Sequence, residues 1–334
     1  MIKELRHIQL HDMMSYLKAV VASLVLCFTI QGCDKEMGEP ESTIDDNAIG
    51  FNAGVEKTRA VATIDHVQDN GFKVWGGYIN TDGTAQQVFA GTAVTYDDTD
   101  GWGYSPAKYW NPGKTYHFFG VYPQDGGTVT PFIANGNLYF TLGFNVPADA
   151  GTDLLVATPT PIVATKPYQP VNMGFTHALS KININVQKNG ANEDDVVVVH
   201  SVSLSNVKKT GKYNSQTGEW GETVAGSLTF SNFSVELSHL EQTQVTSDKL
   251  LLPQVIAENS IQLSIYYSIS AGNSNDFYTA NAYLPISTIT QWEQQKIYTY
   301  NVTLGAAKNN ILFGTPEVQD WKDEKPVGGS IMIQ

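Results

Sequence analysis

Residues 181–186 of this chain read KININV, residues 261–267 read IQLSIYY and residues 297–302 read IYTYNV. In each stretch apolar or aromatic side chains alternate with polar ones. A period of two places one set of side chains on each face of an extended strand, so the pattern predicts half-buried antiparallel strands. Gly, Asn, Asp and Pro separate such stretches, and at most one helical turn is expected, near residues 286–295. The sequence therefore predicts an all-β fold built from sandwiches.

The composition of the 334-residue chain excludes several classes of function. Its formal net charge is −13, and an acidic surface repels phosphate, so we expect no nucleic-acid binding. Cys27 and Cys33 both precede the predicted strands, which leaves the body without a disulfide, a thiolate metal site or a cysteine nucleophile. No GxSxG, P-loop or HExxH motif is present. We therefore expect no catalytic residues, no cofactor and no metal.

The N-terminal segment predicts export as a lipoprotein. Residues 19–30 (AVVASLVLCFTI) form an apolar run that is too short to cross a bilayer and is typical of a signal peptide. The run ends in Ile30-Gln31-Gly32-Cys33, which resembles a bacterial lipobox with Cys33 as the lipidated residue. The alternative is a plain secretory signal with an unmodified cysteine. Met1, Met13 and Met14 are all candidate start positions.

The remainder of the chain divides into a tether and two predicted domains. The signal peptide covers residues 1–33, and the acidic residues 34–48 form a flexible tether. The Pro-rich stretch 158–170 (TPTPIVATKPYQP) interrupts the strand pattern, because proline cannot donate to a sheet ladder. We therefore predict one β-sandwich domain over residues 49–170 and a second over residues 171–334.

Three local features have competing interpretations. Residues 97–101 (DDTDG) faintly resemble a calcium loop, but a hairpin turn is the simpler interpretation. His177 lies at a strand start, where a core or hydrogen-bonding histidine is expected more often than a metal ligand. The six tryptophans fit core positions, although exposed Trp and Tyr side chains would also suit sugar binding.

The start of the predicted body is an apolar strand followed by a protease site. Ile49, Phe51, Ala53 and Val55 alternate with polar residues or glycine, so the strand presents one apolar face. Arg59 follows in a polar stretch and is the only arginine after the leader. An arginine-specific protease would therefore cut the folded body once, between Arg59 and Ala60, and would remove residues 49–59.

The C-terminal segment 326–334 (PVGGSIMIQ) has the pattern of a strand that can be donated to another sheet. Val327, Ile331 and Ile333 share one parity, so they would lie on one face of an extended chain. In strand addition, the backbone supplies affinity and alternate side chains supply specificity. The alternative is that both terminal strands stay in their own domains.

Short motifs along almost the whole chain after Cys33 resemble the fimbrillins, the type V pilins of Gram-negative bacteria. Each motif is loose by itself, and their order carries the resemblance. They are residues 49–53 (IGFNA), 58–60 (TRA), 116–123 (YHFFGVYP), 153–157 (DLLVA), 175–182 (FTHALSKI), 211–214 (GKYN), 217–220 (TGEW), 251–254 (LLPQ) and 318–321 (VQDW).

The resemblance implies two transthyretin-like antiparallel β-sandwich domains and a structural role as a major or accessory fimbrial subunit. It implies that an arginine-specific surface protease removes the first strand, and that the C-terminal strand of a neighbouring pilin subunit replaces it. The expected location is the outer membrane, through a lipid anchor, and then a cell-surface fimbria with a role in adhesion and colonisation. Stalk, tip and anchor positions all stay open. The alternative function is a monomeric glycan-binding surface lipoprotein, against which the single Arg59 argues.

Overall fold

The computed structural model describes residues 47–55, 63–189, 194–305 and 309–321. Most of these residues lie in β-strands, which confirms the predicted all-β class, and one short helix, α1, spans Ile64–Asn70. Among the described residues, no helix has both the length and the hydropathy needed to cross a membrane. The strands are β1 (Phe51–Val55), β2 (Phe72–Ile79), β3 (Ala85–Asp97), β4 (Gly101–Gly103), β5 (Thr115–Tyr122), β6 (Thr128–Ala134), β7 (Asn137–Asn145), β8 (Leu155–Ala157), β9 (Ile162–Val163), β10 (Val171–His177), β11 (Ser180–Lys188), β12 (Val196–Asn214), β13 (Glu219–Phe230), β14 (Val235–Glu236), β15 (Thr243–Leu251), β16 (Gln254–Val255), β17 (Gln262–Ala271), β18 (Ser274–Tyr283), β19 (Gln291–Trp292), β20 (Lys296–Leu304), β21 (Ile311–Phe313) and β22 (Glu317–Asp320).

The first sheet has the strand order β1-β10-β8-β5-β2-β3-β4, with β9 paired to β5. Its pairs are antiparallel except for β1 and β10, which run parallel. The central strand β5 (YHFFGVY) is buried along nearly its whole length, so the side chains on both of its sides are covered. Gly77 allows a bulge between β2 and β3, because a Cβ there would lie 2.0 Å from the backbone oxygen of Gln86.

The other strands form a second large sheet, a third sheet and a two-stranded pair. The second sheet has the order β18-β17-β12-β7-β6, with β13 and β14 also paired to β12. The third has the order β15-β11-β20-β21, with β22 also paired to β20, and β16 pairs with β19. In β11, Ile182, Ile184 and Val186 are buried while the asparagines between them are half-buried. The alternation of residues 181–186 therefore directs one side of the strand into the core.

Strand pairing crosses the predicted domain boundary at residue 170. Strand β10 begins just after this boundary, yet it pairs with β1 and β8 of the first sheet. Strand β7 comes from the first half of the chain and pairs with β12. The buried apolar side chains form two clusters, one around Phe72 and Phe118 and a larger one that includes Leu142 and Ile184. The division into domains 49–170 and 171–334 stays a prediction.

The short helix α1 is not predicted by the sequence pattern. It buries only Val67, so it lacks the repeated apolar spacing that marks an amphipathic helix. The backbone N–H of Thr63 donates to Nδ1 of His66 (3.3 Å) at its start, and the helix ends at Gly71, whose φ is +67°. Near residues 286–295, where at most one helical turn is expected, residues 286–288 form a turn and Gln291–Trp292 form the strand β19.

The acidic stretch at residues 97–101 forms the turn between β3 and β4. The backbone N–H groups of Thr99 and Asp100 donate to Oδ1 of Asp97, at 2.8 and 3.2 Å. Asp97 pairs with Gly101 across the hairpin. One carboxylate thus satisfies the donors of the turn, as short polar side chains often do, and the hairpin interpretation is confirmed.

Candidate functional site

Strand β1 lies at the edge of the first sheet. It pairs in parallel with β10 from Phe51 opposite Val171 to Val55 opposite Phe175, and β10 is its only strand partner among the described residues. Just before β1, the chain is also held on its other side, where the N–H of Ile49 donates to the carbonyl oxygen of Lys108 (2.8 Å). Strand β1 itself therefore depends on a single backbone ladder.

The apolar side of β1 faces the smaller core cluster. Ile49 is 1% exposed and Phe51 is 4% exposed, whereas Ala53 and Val55 are half-buried. Asn52 and Gly54, which lie between these residues on the other side of the strand, are exposed. The burial pattern thus follows the period of two along the strand.

Four aromatic rings surround Phe51, and we call these rings together with β10 the first-strand seat. The ring centroid of Phe51 lies 5.2 Å from Phe89, 5.7 Å from Tyr104, 5.8 Å from Phe118 and 6.4 Å from Phe72. All four contacts are edge-to-face, the arrangement that aromatic quadrupoles favour. Tyr104 also donates its hydroxyl to the carbonyl oxygen of Ile49 (2.7 Å), which fixes the entry of the strand.

Several of the predicted site residues lie outside the described residues. They are Cys33, the protease site Arg59–Ala60, and the donor-strand residues Val327, Ile331 and Ile333. The described chain stops at Val55 and resumes at Thr63, so the protease site falls in the interval that directly follows β1.

A buried cluster at the end of β22 brings together residues from separate motifs, and we call it the Trp321 cluster. The rings of Trp321 and His177 stack with centroids 4.1 Å apart, and Lys181 places Nζ 4.7 Å from the indole centroid. Nδ1 of His177 lies 2.8 Å from Oδ2 of Asp153, and Nζ of Lys181 lies 2.8 Å from Oδ1 of Asp248. The prediction that His177 is a core or hydrogen-bonding histidine is confirmed.

Nothing in the sequence predicts that these residues lie together. The residues come from three of the short motifs: Asp153 from the first, His177 and Lys181 from the second, and Trp321 from the third. The order of these motifs along the chain does not indicate that the residues touch. The only available hint was that each is a large or charged residue beside an apolar run. Buried charges need paired partners, so Asp153 and Lys181 predict contacts without identifying them.

Burial perturbs the pKa values of two residues that are not part of the first-strand seat. Burial lowers the pKa of His117, which packs edge-on against Tyr139 in β7, while the side chain of Asn137 opposes the shift by hydrogen bonding. Burial also raises the pKa of Tyr300, and the indole N–H of Trp292 donates to its hydroxyl oxygen (2.9 Å). Both groups are therefore uncharged at neutral pH.

Within the described ranges, no group of three His, Cys, Asp or Glu side chains is arranged to hold a metal ion. The tryptophans are buried or half-buried, so the indole rings lie mainly in the core, as predicted. What the first-strand seat offers is different: β10 and the aromatic rings beside it hold one extended strand, β1, by a backbone ladder and a buried Phe51 side chain.

The sequence and the fold of this chain are similar to those of known fimbrial proteins. A family model described as fimbrillin-like matches residues 58–321. A fimbrial protein from Bacteroides vulgatus has a similar structure, with a TM-score of 0.62 and 18% identity over 83% of this chain and 100% of that chain. A "putative cell adhesion protein" from Bacteroides ovatus has a TM-score of 0.49 and 15% identity over 83% of this chain and 99% of that chain. No curated protein matches this chain.

Proposed function

Because this chain belongs to the fimbrillin-like family, we propose that it is a structural pilus subunit that polymerises by exchange of its first strand. In this proposal the chain is exported as a lipoprotein through Cys33, is cut after Arg59, and assembles with neighbouring pilin subunits on the cell surface. Membership of a fimbrial family supports a structural and adhesive role rather than a catalytic one. The observation that carries the proposal is the edge position of β1 above an aromatic pocket.

Loss of β1 would leave the subunit with a strongly associating surface. Phe72, Phe89 and Phe118 are buried beneath Phe51 and would become accessible to water. Burying side chains of the size of Ile49 and Phe51 contributes roughly 1.5–3 kcal/mol each. Strand β10 would at the same time present a row of unpaired backbone groups, which is a template for another strand.

The parallel pairing of β1 with β10 supports replacement by a foreign strand. Parallel ladders are slightly less stable per residue than antiparallel ones. An incoming strand is free to run antiparallel to β10, which would restore the ladder with better hydrogen-bond geometry. The candidate donor, residues 326–334, would present Val327, Ile331 and Ile333 to the pocket that Phe51 leaves.

The proposal is tested by substituting the protease site in the full-length chain. We expect Arg59→Ala to fold, because β1 stays in the first-strand seat, but to remain an unprocessed monomer when an arginine-specific protease is added. Lys57→Ala is the matched control, since it removes a nearby positive charge and keeps Arg59. N-terminal sequencing should find Ala60 in wild-type and control fibres, and electron microscopy should show no fibres of Arg59→Ala. Fibres formed by uncut Arg59→Ala would refute the proposal.

A further inference from the structure

Exposed aromatic side chains cluster on one face of the β17–β18 hairpin. Tyr266 is 41% exposed, Phe277 is 54% exposed and Tyr283 is 47% exposed. The rings of Tyr266 and Phe277 lie with their centroids 5.8 Å apart and their planes 16° from parallel. Strand β18 is also the last strand of its sheet among the described residues, so this face is open on one side.

The aromatic pair is held in place from the neighbouring strand β12. The ring of His200 lies 5.8 Å from Tyr266 and 5.7 Å from Phe277. Its Nε2 lies 2.9 Å from Oγ of Ser268, the residue directly opposite Phe277 across the hairpin. The rings therefore form a fixed platform, because a third ring and a hydrogen bond restrict their movement.

Among the described residues, the hairpin positions on this face carry no acidic residue, lysine or arginine. Residues opposite each other in an antiparallel pair share a face. The pairs on this face are Gln262 with Tyr283, Ser264 with Asn281, Tyr266 with Thr279, Ser268 with Phe277, and Ser270 with Asn275. The positions of β12 that oppose this face of β17 are Ser201, Ser203 and Ser205 and, beyond a bulge, Val196 and Val198. Glu236 of β14 lies opposite Val198, two strands away from β17. In a chain whose net charge is −13, the uncharged hairpin part of this face differs from the average surface.

Two polar pairs flank the aromatic platform along the hairpin. On one side Oγ of Ser264 donates to Oδ1 of Asn281 (2.6 Å), and on the other Oγ of Ser270 donates to Oδ1 of Asn275 (3.0 Å). In each pair the serine fixes the carbonyl side of the amide, and the Nδ2 protons remain for an outside acceptor. The face thus combines an apolar platform with oriented hydrogen-bond donors.

We propose that this face binds an uncharged hexose-containing glycan. A pyranose ring has an apolar C–H face that packs on aromatic rings, and its hydroxyls accept hydrogen bonds from amide groups. An anionic glycan, a phosphate or a nucleic acid would find no lysine or arginine among the described hairpin residues of this face, and a second copy of this acidic chain would add like charge. The proposal is independent of processing at Arg59, since it concerns a different sheet from the first-strand seat.

The test uses the purified full-length chain with immobilised neutral oligosaccharides of glucose, galactose and N-acetylhexosamines, beside sialylated and sulfated oligosaccharides. We expect binding to neutral oligosaccharides, which titration calorimetry would then quantify. Tyr266→Ala and Phe277→Ala should each weaken it about tenfold, because each removes one packing ring. Tyr109→Ala is the matched control, since Tyr109 is 50% exposed in another part of the molecule. Tyr266→Phe should bind as the wild type does, because the ring is kept.

Three results would overturn the proposal. The first is absence of neutral glycan binding by the folded chain. The second is unchanged binding by both Tyr266→Ala and Phe277→Ala, which would place the site elsewhere. The third is a concentration-dependent dimer in sedimentation that both variants abolish, which would assign the face to contacts between copies. Circular dichroism of each variant verifies folding, which we expect to persist because both residues lie at the surface, outside the core.

Discussion

The substitution Phe51→Ala tests whether β1 is a tightly held but removable part of the subunit. Phe51 is 4% exposed and contacts four rings of the first-strand seat. Truncating a buried phenylalanine to alanine lowers the free energy of unfolding by about 3–5 kcal/mol, because burial is lost and a cavity remains. We expect a loss of this size in urea unfolding of the uncut chain. Asn52→Ala, at an exposed position of the same strand, should change the free energy by less than about 0.5 kcal/mol.

A second prediction for Phe51→Ala concerns the stability of its fibres. The proposed cleavage after Arg59 would discard residue 51, so the processed Phe51→Ala chain would have the wild-type sequence. Fibres grown from the variant should therefore match wild-type fibres in thermal and denaturant stability, although the precursor is much weaker. The assay compares uncut monomer and isolated fibres in the same urea series. Weaker variant fibres would show that β1 remains in the polymer, and an unfolding loss below about 1 kcal/mol would show that Phe51 is not an integral part of the fold.

Two further predictions concern the donor segment and pH. The double variant Ile331→Asp with Ile333→Asp should yield a folded, processed monomer that forms no fibres, because two charges cannot enter an aromatic pocket; normal fibres by electron microscopy would place the donor elsewhere. Burial lowers the pKa of His117 below its ordinary value of 6.5, so the unfolded chain binds more protons than the folded one in mildly acidic solution. Stability should fall as pH drops below about 6.5, and His117→Gln should reduce this fall between pH 7.5 and 5.5 in urea unfolding; equal slopes in both proteins would contradict the assignment.

The sequence predicts which side of a strand is buried better than it predicts which other strand it pairs with. The apolar parity of residues 181–186, the inward position of Phe51 and the turn at Asp97 all depend on local spacing, and local spacing is visible in one sequence. The pairing of β1 with β10 joins residues about 120 positions apart. The alternation of apolar and polar residues does not determine the partner strand, because any strand with one apolar face would fit the pattern.

Two other features depended on information that spacing does not contain. Helix α1 has only Val67 buried, so its few turns leave no periodic apolar signal. The Trp321 cluster depends on three distant segments meeting in the core, and each of its residues has an ordinary local context. Tertiary packing decides both features, and local propensity has little weight against it.

The Trp321 cluster determines how the subunit would respond to mechanical force. Strand β22 is short and exposed along its length, and it runs antiparallel to β20, so a load applied to it alone would peel it away one hydrogen bond at a time. A pull transmitted from beyond residue 321 meets Trp321 first. That indole is covered by His177 and Lys181, whose strands β10 and β11 belong to different sheets. If the C-terminal segment joins neighbouring subunits as proposed, tension along it would reach contacts with two sheets before it reached β22.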